Sequence, residues 1–257
     1  MRWFTRRTID FRRAEVVVRG RPVTYRVAGS GEPVVLVHGL AGSARWWRRN
    51  VAALAEAHTV YLVNLPGFGS FGRPDRHISV ADGADWLAAW IEAVGIGPCH
   101  VVAHSLGGYL TISLAAARPD LVRRLVLVAP AIIAGHRPLR AYPLALVAAG
   151  LAARPSFLPL LALDSLRAGP LTILRAARRL LADDVRERLG TVAAPTLLVW
   201  GSRDALVPPS LGPQVCAALR DATLLVLPGA GHVPNYDRPG EFNAAVLAFL
   251  AGQTIGR

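Results

Sequence analysis

At 257 residues, 53% of them hydrophobic, the chain is long enough to bury a large core within a single α/β domain. Its formal net charge of +12 points first to nucleic acid, but all 29 basic residues are Arg, and no basic stripe alternates with a reading motif, so nucleic-acid binding is set aside. No apolar run is long enough to span a bilayer, and two cysteines, Cys99 and Cys216, make no disulfide framework.

The absence of Lys, with Ala, Gly and Pro abundant, fits a GC-rich coding sequence. The Arg residues are scattered except for an N-terminal cluster, Arg2, Arg6, Arg7, Arg12, Arg13, Arg19, Arg21 and Arg26, interleaved with Trp3, Phe4 and Phe11. That cluster reads either as a solvated arm or as a weak hold on an anionic membrane surface. No apolar run follows Arg6 and Arg7, so no secretory or twin-arginine signal is expected, and the reading is a cytoplasmic protein with reduced thiols.

In chain order, residues 14–19 and 22–27 are short β-rich runs split by Gly20, an opening hairpin. Apolar runs follow at 34–37, 60–63, 100–103, 125–128, 196–200 and 223–227. Each is short and bounded by Gly or Pro, as buried parallel strands are. Between them, residues 44–57, 79–94, 106–118, 209–219 and 241–251 have helical length, and Ser79 with Asp82 forms a capping box for the second. Alternation at this spacing predicts βαβ units and an eight-stranded, mostly parallel sheet flanked by helices.

One stretch breaks the rhythm. Residues 131–190 have helical but no strand character, and Pro143, Pro155, Pro159 and Pro170 divide them into several short helices. The predicted organisation is therefore a core of residues 1–130 and 191–257 with a helical cap inserted at 131–190.

The chemistry centres on Ser105. The strand 100–103 runs directly through His104 into Ser105, and a helix begins at Leu106. A serine on such a turn projects its hydroxyl beyond the carboxyl end of the sheet, and the turn admits only small residues two positions away, here Ala103 and Gly107. Ala103 departs from the usual Gly by one methyl group. A serine hydroxyl needs a base, and the base needs an orienting acid. Of the seven histidines only His136 and His232 follow Ser105, and His232 sits in the Gly-rich loop after the last strand. Asp204 follows the penultimate strand directly, whereas Asp221 and Asp237 suit a surface or helix-capping role. The candidate catalytic set is Ser105, Asp204 and His232. The backbone N–H groups of Leu40, in the turn after strand 34–37, and of Leu106 are the candidate oxyanion donors.

His38-Gly39-Leu40, the run from Asn64 to Gly69, the Ser105 elbow, Asp204 and Gly231-His232 together resemble the α/β-hydrolase superfamily, over nearly the whole chain and in the expected order. The resemblance implies a sheet with one antiparallel strand and a cap between the sixth and seventh strands. Asn64 stands where many relatives carry Asp and is expected to be structural. A Ser nucleophile departs from the dehalogenase and epoxide hydrolase branches, which attack with Asp. An acyl-enzyme mechanism on a carboxylic ester follows, with His232 as base. No metal-ligand spacing and no phosphate-cradling loop occur, so no cofactor or metal is expected. The cap from Leu139 to Leu163 is nearly all Ala, Leu, Pro and Val, with Tyr142 and Phe157, which suggests an apolar small-molecule or lipid-like ester as substrate. The same residues could instead only pack the cap down. Carbon–carbon bond hydrolysis, acyl transfer or perhydrolysis by the same triad stays open, as does a non-catalytic ligand-binding role.

Overall fold

The computed structural model describes residues 10–69, 80–132 and 142–255. Arg2, Trp3, Phe4, Arg6, Arg7, Ser79 and His136, all named above, lie outside them. Eight strands form one sheet: β1 (Arg12–Val18), β2 (Arg21–Ala28), β3 (Glu32–Val37), β4 (His58–Leu62), β5 (Cys99–His104), β6 (Val122–Val128), β7 (Thr196–Gly201) and β8 (Ala222–Leu227). Their spatial order is β1-β2-β4-β3-β5-β6-β7-β8. β2 pairs antiparallel with both β1 and β4, and every other pair is parallel, so β2 alone runs against the rest.

Period-two alternation divides the sheet's side chains between two apolar layers. Val35, Val37, Val101, Ala103, Leu125, Leu127, Leu198 and Trp200 pack with α2 (Val80–Val94), α3 (Leu106–Ala117) and α8 (Gly212–Ala218). Val34, Leu36, Val60, Val102, Val126, Leu197 and Val199 face the other way, against α1 (Val51–Leu54) and α10 (Pro239–Leu250). A sheet buried on both faces needs near-continuous apolar strands, which is why these runs read so clearly in the sequence.

The expected helix over 44–57 is not continuous. Ala44–Trp47 is a 3₁₀ turn capped by Ser43, and only Val51–Leu54 is α-helical. The reason is burial in two directions: Trp47 joins the sheet layer, while its neighbour Trp46 packs with Phe157 and Tyr236 on the cap side. One regular helix face cannot serve both. Residues 209–219 likewise begin as a 3₁₀ turn, Pro209–Leu211, before α8.

Between β6 and β7 the described chain forms α4 (Tyr142–Ala152), a 3₁₀ turn at Pro155–Phe157, α5 (Leu158–Ala168), α6 (Pro170–Ala182) and α7 (Arg186–Leu189). Pro143, Pro155, Pro159 and Pro170 each fall in the first turn of an element, where a missing N–H costs nothing. Val185 of the preceding turn and Leu189 of α7 are buried in the main core layer, so the insertion rejoins the core before residue 190.

Candidate active site

The strand order reverses between β3 and β5, which places the carboxyl ends of these neighbours at the crevice where α/β sheets bind ligands. Ser105 follows β5 directly, in a strained conformation (φ 52°, ψ −114°) that a non-Gly residue adopts only under constraint. The constraint is visible. Ser105 N–H donates to Val128 O (2.9 Å), and Ser105 O accepts from Ala131 N–H (3.1 Å) and Tyr109 N–H (3.0 Å). At Gly107 an added Cβ would lie 2.6 Å from His38 O, so only glycine lets α3 start this close to the end of β3.

His232 Nε2 lies 3.1 Å from Ser105 Oγ, and its Nδ1 lies 2.8 Å from Asp204 Oδ2. With Nδ1–H donating to the carboxylate, Nε2 is left to accept the serine proton. The other oxygen of Asp204 accepts from the N–H groups of Leu206 and Val207, both at 2.9 Å, which fixes the carboxylate's direction. The Asp204 side chain is fully buried and that of His232 nearly so. The structure thus brings together all three residues singled out in the sequence.

The turn after β3 approaches the elbow closely. A Cβ on Gly39 would lie 3.1 Å from Ser105 Cβ and 2.8 Å from His104 Nδ1, so this position too requires glycine. Among the described residues no acceptor is bound to the N–H of Leu40 or of Leu106. His38 orders the turn: its Nε2 accepts from Leu65 N–H (3.0 Å) and its Nδ1–H donates to Gly39 O (2.8 Å). Burial holds His38 down at about 4, so it is neutral. Asn64 Oδ1 accepts from Ala44 N–H (2.8 Å), the structural role expected of it.

Three contributors go beyond the roles read from the sequence. His104 Nε2–H donates to the carbonyl of His232 (2.8 Å) and its ring packs between Trp46 and His232. Burial first, then the neighbouring His232, pushes it down to about 3. Asp237 is a correction. It is buried, and its Oδ2 accepts from Gly231 N–H (2.8 Å), so it braces the His232 loop and has no surface role. Burial raises its carboxyl above the usual range. The third is Asp164 of α5, fully buried, which accepts from Ser43 Oγ (2.7 Å), from Trp46 Nε1 (3.1 Å) and from the Arg45 guanidinium. A lone carboxylate in an otherwise apolar run was the available signal for it.

A cavity of about 440 Å³ opens over Ser105 and His232. Its lining is almost wholly apolar, drawn from the core (Leu40, Trp46, Leu206) and from the cap (Phe157, Leu161, Leu180). Ile173 and Ala177 also line it, so α6 extends the roof beyond Leu163.

A model of the alpha/beta hydrolase family matches residues 34–245. The chain belongs to that family. This hydrolase is 31% identical over 256 residues to the "Putative carbamate hydrolase RutD" of Azorhizobium caulinodans, covering 88% of its own length and 93% of the relative's. It is 30% identical over 257 residues to the dihydrolipoyllysine-residue acetyltransferase component of the acetoin cleaving system of Cupriavidus necator, covering 91% of its own length and 68% of the relative's. Among solved structures it is similar to a bacterial membrane phospholipase A, with a TM-score of 0.84 and 26% identity, over 94% of this chain and 86% of that one. These relatives support hydrolase activity on the α/β-hydrolase fold.

Proposed function

We propose that this hydrolase cleaves carboxylic esters with an apolar acyl or aromatic part through an acyl-enzyme. The observation that carries the proposal is the run from Asp204 through His232 to Ser105, held at 2.8 and 3.1 Å, opening into an apolar cavity. Ser105 Oγ attacks the ester carbonyl as His232 Nε2 takes its proton. The tetrahedral oxyanion sits against the N–H groups of Leu40 and Leu106, His232 returns the proton to the departing alcohol, and a water activated by His232 then releases the acid. Asp204 holds the imidazole in the tautomer this requires. The cavity size suits a small molecule or one acyl chain. The phospholipase neighbour supports a lipid-like ester.

Carbamate hydrolysis is the second reading, favoured by the sequence similarity to RutD. It uses the same groups at a carbamate carbonyl. The apolar lining is a poorer match to a small polar carbamate than to an acyl chain.

A fluorophosphonate probe should label the wild type and leave Ser105→Ala unlabelled; an unlabelled wild type would sink the proposal. Turnover of p-nitrophenyl esters should rise with acyl length until the cavity is filled. Turnover confined to carbamates would instead select the second reading.

A further inference from the structure

The roof of the cavity has an outer side that differs from the rest of the surface. Of the ten large hydrophobic residues exposed in the described protein, seven are cap leucines: Leu144, Leu151, Leu158, Leu163, Leu166, Leu171 and Leu174. Leu144, Leu151 and Leu166 are 74%, 84% and 79% exposed, values typical of charged surface side chains. Their spacing is helical. On α4, Leu144 and Leu151 stand seven residues apart, hence on one face. On α5, Leu158, Leu163 and Leu166 point out while Leu160, Asp164 and Ala168 point in. Leucines this exposed on three successive helices mark an interaction surface.

The charge around them selects the partner. Residues 142–182 contain five arginines, Arg154, Arg167, Arg175, Arg178 and Arg179, and one carboxylate, Asp164, which is buried and bound to Arg45. The three arginines of α6 are exposed and make no ion pair among the described residues. The exterior of α4–α6 is therefore apolar and cationic, with no exposed carboxylate; the other acids of the cap, Asp183, Asp184 and Glu187, follow α6, where Asp183 and Asp184 pair with Arg188 and Arg186. No single described helix is long and apolar enough to cross a membrane, and α5 meets α6 at 94°, a shape that can lie on a surface.

We infer that the outer face of the cap docks on an anionic lipid surface, with its leucines in the headgroup–acyl boundary and its arginines on lipid phosphates. A second copy of this chain would bring the same five arginines face to face with no exposed carboxylate to meet them. The inference goes beyond the ester-hydrolase reading and does not depend on catalysis.

The test is co-sedimentation of the full chain with vesicles of equimolar phosphatidylcholine and phosphatidylglycerol, beside vesicles of phosphatidylcholine alone. Circular dichroism of each variant reports whether it is folded, and fluorophosphonate labelling runs in parallel. The wild type should pellet with the anionic vesicles and release as salt is raised. Leu151→Glu/Leu166→Glu should weaken binding about a hundredfold and Arg175→Gln/Arg178→Gln about thirtyfold, both still labelled by the probe. Val17→Glu, an exposed apolar position on the far edge strand, should bind as wild type. The inference falls if the wild type stays in the supernatant, if the leucine variant pellets unchanged, or if Val17→Glu loses as much. It falls equally if the protein is a dimer that the leucine variant splits while vesicles bind nothing. Vesicle binding without probe labelling would leave this inference standing and overturn the serine-hydrolase proposal.

Discussion

At the scale of single residues, the candidate site depends on how few states each side chain is allowed. Asp204 can turn neither oxygen elsewhere: one is held by two backbone donors, the other by His232. Asp204→Asn keeps the shape but can donate to Nδ1, which favours the imidazole tautomer with its proton on Nε2, the wrong one for accepting from serine. We expect kcat to fall about 10⁴-fold with KM nearly unchanged, read from steady-state kinetics on a soluble ester. A proportional rise in KM would assign Asp204 to substrate binding. His104 acts through its neighbour, holding the backbone of His232 where the ring meets Ser105.

At the scale of elements, two of the contacts that tie the cap to the core lie beside the active site. One is Asp164, which binds three donors of the segment that follows the turn after β3, namely Ser43, Arg45 and Trp46. The other is Tyr236 of α9 (Pro234–Asp237), whose hydroxyl donates to Ser156 O (3.0 Å) while Arg48 binds the same hydroxyl. Asp164→Ala leaves the Ser43 hydroxyl and Trp46 N–H unpaired in a buried place. A loss of about 3 kcal/mol is expected by chemical denaturation. Because Ser43 and Trp46 continue the turn that carries Leu40, KM for long-chain esters should rise as well. Asp164→Asn, which keeps two acceptor contacts, should recover part of both. Unchanged KM in the Ala variant would make the contact a matter of stability alone.

At the scale of the whole molecule, two buried histidines set an acid limit on stability. Burial holds His38 at about 4 and His104 at about 3, against 6.5 in the exposed side chain. Between those values the unfolded chain binds more protons than the folded one. Stability therefore rises with pH across that interval and is lost as pH falls from about 6.5 towards 3. Melting temperature followed against pH should drop over this range, and His104→Gln should make the drop shallower. An identical slope in the variant would remove His104 from the account. The net charge of +12 acts at the same scale: with the acid-side protonation of carboxylates it grows, and self-repulsion adds to the loss.

How much of this could be read without coordinates differs by physical cause. Strands buried on both faces leave continuous apolar runs, so the central strands were legible, while the half-exposed β1 and β2 showed as β-rich runs split by Gly20; the break in alternation that marks the insertion was legible too. Ser105, Asp204 and His232 were legible because each lies directly beyond the carboxyl end of a strand, and local pattern places strand ends well. The 44–57 segment was misread because its break is caused by two tryptophans buried towards different layers, a fact that belongs to the layers. Asp164 and His104 escaped for the same reason. Their partners lie far along the chain, 121 residues away for Asp164 and Ser43 and 128 for His104 and His232. The sequence by itself determined which groups stand at the strand ends and what chemistry they carry. Only the tertiary structure decided what braces them, what roofs them and which leucines of the cap face outward, because burial is a property of neighbours that the chain brings together only by folding.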